Sequence, residues 1–176
     1  MSYSVILPTL NEAGHIVQLV NQISEALLKT NEKFEIIIVD DSSTDKTPEL
    51  CRELEKKREN TYFYSRTGQK KNLAKSINLG IEKSKFDNII WLDADFQHPP
   101  EYIYLFHKYV SKYDLIIFSR FLNESKRYFE DERYKKEINE NQSVLFNKIC
   151  RLFLYKDLSD YTSGFICIKK KIFNNY

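Results

Sequence analysis

An α/β fold with a mostly parallel sheet flanked by helices is predicted by three observations. Apolar runs of strand length alternate with segments of helical periodicity along the chain. The runs are dense in Ile, Val and Leu, as strands covered on both faces require. Several of them end in short polar clusters, and open α/β sheets bind ligands beyond the carboxyl ends of their strands.

The elements follow in order. Tyr3–Leu7 (YSVIL) reads as a first strand, stopped by Pro8. Ile16, Leu19, Val20, Ile23 and Leu27 recur at helical spacing and mark a first helix. Phe34–Val39 (FEIIIV) is a second strand, ending in Asp40-Asp41-Ser42-Ser43-Thr44-Asp45, a polar turn able to cap the next helix, whose buried side carries Leu50 and Leu54. Thr61–Ser65 is a third strand. Lys70–Lys83 is a third helix with Leu73, Ile77 and Ile81 inward, and Asn88–Leu92 a fourth strand. Pro99 and Pro100 suit the first turn of a helix that buries Tyr102, Leu105, Phe106 and Tyr109. Leu115–Ser119 is a fifth strand. A polar stretch of mixed sign, 123–141, then reads as a flap, Leu145–Phe153 as an amphipathic stripe, and Phe165–Ile168 as a last strand. With no repeat and no Pro/Gly-rich linker, the 176 residues form a single domain, 1–176.

Bulk properties exclude some classes. A net charge of +2 gives no reason to expect a nucleic-acid partner. Three widely spaced cysteines read as reduced thiols, and MSYSVILPTLNE lacks the basic start of an export signal, so a cytoplasmic location is expected. No apolar run approaches the ~18 residues that a spanning helix needs.

The strand ends carry the chemistry. Pro8-Thr9-Leu10-Asn11-Glu12, Asp40-Asp41, Asp93-Ala94-Asp95 and Ser119-Arg120 all lie there. None of the four glycines belongs to GxGxxG or a Walker A loop, so no glycine-rich turn cradles phosphate. A divalent cation held by Asp-x-Asp is the remaining way to bind a diphosphate, because carboxylates are hard oxygen ligands. A phospho-receiver also gathers acids at strand ends, but it needs a lone Asp after its third strand, where this chain has Tyr64-Ser65-Arg66.

VILPTLNE, IIIVDDSSTDKT, DADFQHPPE, the Ser-Arg of FSRF and DYTSGF stand in the order that resembles family 2 glycosyltransferases of the Rossmann-like GT-A fold. The wording DADFQHPP is similar to the branch with dolichol-phosphate mannose synthase and bacterial polyprenyl-phosphate glycosyltransferases. The likeness runs from about residue 3 to 168. It implies that Pro8, Leu10, Glu12, Asp40 and Asp41 hold the base and ribose of a nucleotide-sugar donor, and that Asp93 and Ala94 line its ribose–diphosphate segment. It further implies that Asp95 and Gln97, beside Asp93, hold Mg²⁺ or Mn²⁺, and that Arg120 meets phosphate. Ser143 would contact the phosphate of a lipid acceptor, and Asp160 would border the transferred sugar.

The resemblance implies an inverting transfer from GDP-mannose or a UDP-hexose to a polyprenyl or dolichyl phosphate, with catalytic roles for Asp95, Arg120 and Asp160. Were the acceptor a glycan hydroxyl, Asp160 would be its base. Peripheral contact at the cytoplasmic membrane face follows from a lipid acceptor, and the basic residues Lys126, Arg127, Arg133, Lys135 and Lys136 are either a solvated face or a lipid-facing one. The chain departs from the pattern at Asn139, where a basic residue is usual, and at Ile166, where arginine is common. It ends at Tyr176, so the usual C-terminal segment is expected to be missing. A catalytically weak nucleotide-sugar-binding protein, or a subunit, is the alternative. His98 is expected to pack or to bond the backbone, and His15 and His107 carry no assigned role.

Overall fold

The computed structural model describes residues 1–120, 146–147, 149–150, 154 and 158–173. Its elements are β1 (Ser2–Thr9), α1 (Ile16–Leu28), β2 (Lys33–Asp40), α2 (Thr47–Lys57), β3 (Thr61–Ser65), α3 (Leu73–Lys83), β4 (Asn88–Leu92), a 3₁₀ helix (Pro100–Leu105), α4 (Phe106–Tyr109), β5 (Leu115–Ile117), β6 (Phe165–Lys169) and a short helix α5 (Lys170–Phe173). The strands form one sheet in the order β3-β2-β1-β4-β6-β5. β3, β2, β1 and β4 are parallel, while β6 runs antiparallel between β4 and β5.

Alternation along β1 divides the core between the two faces of the sheet. Val5 and Leu7 join Ile36, Ile38, Ile90 and Leu92 beneath α1, α2 and α4, whereas Ile6 and Ile89 face Ile77 and Ile81 of α3. The whole α1 stripe is buried, as its spacing predicts. Gly80 lets α3 approach β1, since a Cβ there would lie 2.5 Å from Ile6 Cγ2.

Departures from the expected pattern have local causes. Pro8 does not stop β1. Thr9 accepts the Asp41 N–H on the β2 side, so alternation turns Pro8 toward the β4 side, where pairing already ends at Ile6 and no ladder donor is needed. Leu73 is 56% exposed because it opens α3 at the rim of a cleft. After Pro99 the chain winds as a 3₁₀ helix, whose three-residue repeat buries Ile103 and Phe106; from Phe106 the chain continues as α4, where the next buried position is four residues on, at Val110, and Tyr109 is left exposed. β5 is shorter than expected, ending at Ile117. The expected flap at 123–141, and Leu145, Leu152 and Phe153 of the apolar stripe, lie outside the described residues; Phe146 and Ile149 of that stripe are exposed. Among the described residues, no helix is long and apolar enough to cross a membrane.

Candidate active site

The site forms where the sheet reverses its order. β2 and β3 follow β1 on one side, and α3 then returns the chain to lay β4 on the other side of β1. Loops leaving two such strands diverge and open a crevice beyond the strand ends. Here the crevice measures about 400 Å³, with Pro8, Thr9, Leu10 and Glu12 on one wall and Asp93, Ala94 and Asp95 on the other. Asp41 and the start of α3 (Lys71, Asn72, Leu73 and Ser76) close it.

The loops after β1 and β2 are fastened to each other, which explains the polar run at 42–47. Ser43 Oγ and Thr47 Oγ1 accept the N–H groups of Asn11 and Glu12, each at 2.8 Å, and Asp45 accepts that of Ala13 at 3.2 Å. Asn11 Oδ1 accepts the Thr44 N–H at 2.8 Å in return, and Asn11 takes the left-handed backbone (φ 59) that asparagine tolerates. Asp45 also accepts the Thr47 N–H at the start of α2, but the cap position is Lys46 and makes no side-chain cap bond, so the turn is chiefly a clamp.

Asp40 and Asp41 point to opposite sides of the strand end, as consecutive residues must. Asp40 is fully buried; Oδ2 accepts the Ser43 N–H, and Oδ1 has no partner among the described residues. It does not line the cleft, so of the expected acidic pair only Asp41 reaches it. Asp41 is held by the buried Arg66 guanidinium on Oδ1 and by the Asn72 N–H at 2.6 Å on Oδ2. Arg66 also donates to the carbonyls of Asn72 (2.9 Å) and Lys70 (3.2 Å) and to Ser76 Oγ (3.0 Å), which ties the acid to the rim of α3.

β4 delivers the Asp-x-Asp. The Asp93 N–H donates to Gly164 O at 3.2 Å, and the Asp93 carboxylate fills the space that a side chain at 164 would take. Asp95 Oδ1 accepts the Gln97 N–H at 3.0 Å, around a Phe96 with φ 61. A bulky residue in that region costs on the order of 1–3 kcal/mol and is tolerated where the fold needs a particular turn. Burial pushes the Asp93 carboxyl up to about 6; the Asp95 charge adds to this, Arg120 opposes it and Glu12 contributes last.

That shift has a consequence for stability. A carboxyl whose folded pKa lies above its ordinary value binds its proton more tightly in the folded chain. Its stabilising contribution is complete below about pH 4 and is lost as the pH rises through about 6. Asp93→Asn is therefore expected to stabilise the metal-free chain near neutral pH, by on the order of 1–2 kcal/mol. In urea unfolding the gain should fade toward pH 4; a variant less stable at neutral pH would contradict the assignment.

Arg120 and Asp160 form a two-pronged ion pair, Nε to Oδ2 at 2.9 Å and Nη2 to Oδ1 at 3.0 Å, with Thr162 Oγ1 accepting from Nη2 at 2.7 Å. Burial alone would raise the Asp160 pKa, but the bonds and charge of Arg120 and the Thr162 N–H outweigh it and hold the group below the usual carboxylate range. Asn147 braces this loop through Thr162 and Tyr161. Arg120 acts on Asp93 electrostatically without lining the cleft. His98 is buried against Phe165 (ring centroids 5.8 Å apart), and neither ring nitrogen has a hydrogen-bond partner among the described residues. Burial first, then Arg120, lowers its pKa to about 4, so it packs as a neutral ring. Ser143 lies outside the described residues.

The strand-end acids Glu12, Asp41, Asp93 and Asp95 thus share one cleft. Among the described residues no group of three or more His, Cys, Asp or Glu could hold a metal ion. Asp93 and Asp95 line the cleft and supply two carboxylates, whereas Gln97, the third expected ligand, is not among the lining residues and meets Asp95 through its backbone N–H. Two carboxylates fit a hard dication that would take its remaining oxygens from water and a diphosphate, and a cation there would offset the Asp95 charge that, after burial, raises the Asp93 pKa. Sequence reasoning missed Arg66, Lys71, Asn72 and Gly164. Arg66 follows a strand end and Gly164 precedes a strand, which marks their place in the chain but not the contacts that matter, and Lys71 offered no signal at all.

A parallel sheet with acids gathered at its switch point, an antiparallel β6 beside β4, and no glycine-rich phosphate loop is the GT-A architecture of nucleotide-diphospho-sugar transferases. The sequence matches Glycosyl transferase family 2 over residues 4–176, and the chain belongs to that family. It is similar to the dolichol-phosphate mannosyltransferase of Pyrococcus furiosus, 31% identical over 173 residues that cover 98% of this chain and 47% of the relative. It therefore spans about half the length of that relative. Mannosyl-3-phosphoglycerate synthase from Rubrobacter xylanophilus shares the fold at a TM-score of 0.73 and 16% identity, over 98% of this chain and 55% of that one. Glucosyl-3-phosphoglycerate synthase from Mycobacterium tuberculosis, solved with Mn²⁺, uridine diphosphate and glucosyl-3-phosphoglycerate, shares it at a TM-score of 0.56 and 16% identity, over 97% and 57%.

Proposed function

We propose that this chain moves a sugar, with inversion, from a nucleoside-diphosphate donor (GDP-mannose or a UDP-hexose) to a polyprenyl or dolichyl phosphate. The observation that carries this reading is the convergence of Glu12, Asp41, Asp93 and Asp95 on one cleft at the β1–β4 switch point. A relative named for dolichol phosphate and mannosyl transfer, matched along nearly the whole chain, supports the acceptor class and mannose as the sugar.

In the reaction an acceptor phosphate oxygen attacks the anomeric carbon while the bond from that carbon to the nucleoside diphosphate breaks. Such an oxygen is already ionised near neutral pH, so alignment and charge stabilisation suffice and no strong base is required. This agrees with the state of Asp160, which Arg120 keeps below the usual range and thereby makes a poor proton acceptor for a glycan hydroxyl. Asp160 instead fixes Arg120, which meets phosphate. Glu12 and Asp41 hold the nucleoside, with Pro8 and Leu10 against it. Asp93, Asp95 and Gln97 would hold Mg²⁺ or Mn²⁺, which when bound neutralises charge on the departing diphosphate. The exposed Phe146, Ile149 and Leu154 favour peripheral contact with the membrane face that carries the acceptor.

A panel of nucleoside diphosphates and sugar nucleotides, scored by thermal stabilisation with and without Mn²⁺, tests the reading. At least one should raise the melting temperature only when metal is present, and Asp95→Ala should remove that shift in a chain that still folds cooperatively without ligand. No shift with any nucleotide would refute the donor site.

A further inference from the structure

His15 joins the two walls of the cleft, a contact its place in the sequence did not reveal. Its Nδ1 lies 2.9 Å from Glu12 Oε2, and its ring meets Phe96 edge-on, with centroids 5.7 Å apart at 85°. Glu12 lines the cleft close enough to raise the Asp93 pKa, so its carboxylate sits in the field of a like charge. Left to itself it would turn toward solvent, away from that charge. The imidazole takes Oε2, while Oε1 has no hydrogen bond among the described residues and is left as an acceptor. Phe96 is the residue whose left-handed backbone turns the chain between Asp95 and Gln97. One side chain therefore braces the acid on the β1 wall and abuts the turn on the β4 wall.

We infer that His15 is a positioning residue for the donor, holding the Glu12 carboxylate so that its other oxygen accepts hydrogen bonds from the ribose hydroxyls of the nucleotide. This rests on the donor-site reading given above. The chemistry of the partner follows from the acceptor. A carboxylate oxygen at a cleft wall lined by other acids repels phosphate and favours neutral hydroxyl donors, and in a nucleoside diphosphate the ribose supplies them. A vicinal diol suits it best.

The test is a cycle between protein and ligand. Affinity is measured by calorimetry, in Mn²⁺, for the nucleoside diphosphate that the wild-type chain binds most tightly and for its 2′,3′-dideoxy form. His15→Ala is expected to weaken the ribonucleotide about tenfold, the usual effect of releasing a charged hydrogen-bond partner, and to leave the dideoxy nucleotide unchanged. His15→Asn places an amide nitrogen near the position of Nδ1 and should recover most of the loss. If His15→Ala does not fold, His15→Gln, whose amide lies one methylene too far, replaces it with the same expected loss. An equal loss on both nucleotides, or none on either, overturns the role of His15 while leaving the donor site standing. A wild-type chain that binds no nucleoside diphosphate in Mn²⁺ overturns the donor site itself.

Discussion

Gly164→Ala should abolish metal-dependent nucleotide binding and cut transfer by at least about a hundredfold, a loss of roughly 3 kcal/mol or more in transition-state stabilisation. The reason is steric and local. A Cβ at 164 would lie 1.7 Å from Asp93 Oδ2 and 2.4 Å from its Cγ, so the carboxyl group must leave its position rather than adjust within it. The Asp93 N–H to Gly164 O bond holds the two backbones at this separation and blocks retreat. The decisive measurement is a double-mutant cycle with Asp93→Ala. If the clash is with that carboxyl alone, Gly164→Ala costs much in the wild-type background and little where the carboxyl is already gone. Additive losses would mean that the glycine acts elsewhere.

This glycine also shows where sequence reading stops. Features set by neighbours along the chain were legible. The bounds of β3 and β4 match the apolar runs, and each predicted α1 position is buried, because burial on one face repeats at the helical period. Pro8 misled because a strand tolerates proline where its ladder has ended, and that depends on how far β4 extends, not on β1. Tyr109 misled because the buried face runs by threes through the 3₁₀ helix to Phe106 and then by four through α4 to Val110, a change of period that passes over Tyr109. β6 was found as a strand, but its antiparallel direction lies in its pairing with β4 and β5, which an apolar run of five residues does not encode.

The site divides along the same line. Glu12, Asp41, Asp93 and Asp95 were legible because each follows a strand end, and the ends of parallel strands meet at one edge. Asp40 was read as its neighbour's equal, and only the direction of its side chain sets it apart. Arg120 and Asp160 were each singled out, but their pairing, which lowers the proton affinity of Asp160, is a contact between distant loops. Arg66 escaped for the same reason: its importance lies in what it touches.

Arg66→Met carries the second large effect, on stability. The guanidinium and Asp41 are both buried, and breaking a buried pair from one side leaves an uncompensated charge, at a cost of about 3–5 kcal/mol. The Lys70 and Asn72 carbonyls and Ser76 Oγ lose a donor as well, so the rim of α3 loosens where it closes the cleft. Stability of an ordinary domain, about 5–15 kcal/mol, leaves such a variant folded enough to be titrated with urea. Asp41→Asn alone should cost less, since an amide still accepts the Asn72 N–H and strands a cation that keeps three other acceptors. The double variant, with neither charge left, should recover a large part of the Arg66→Met loss, because the penalty comes from the orphaned carboxylate and not from lost packing. Recovery of stability need not restore nucleotide binding, since an amide at 41 presents a donor where a nucleoside N–H expects an acceptor. A double variant as unstable as the sum of the single ones would show that Arg66 holds the α3 rim on its own, with Asp41 a bystander.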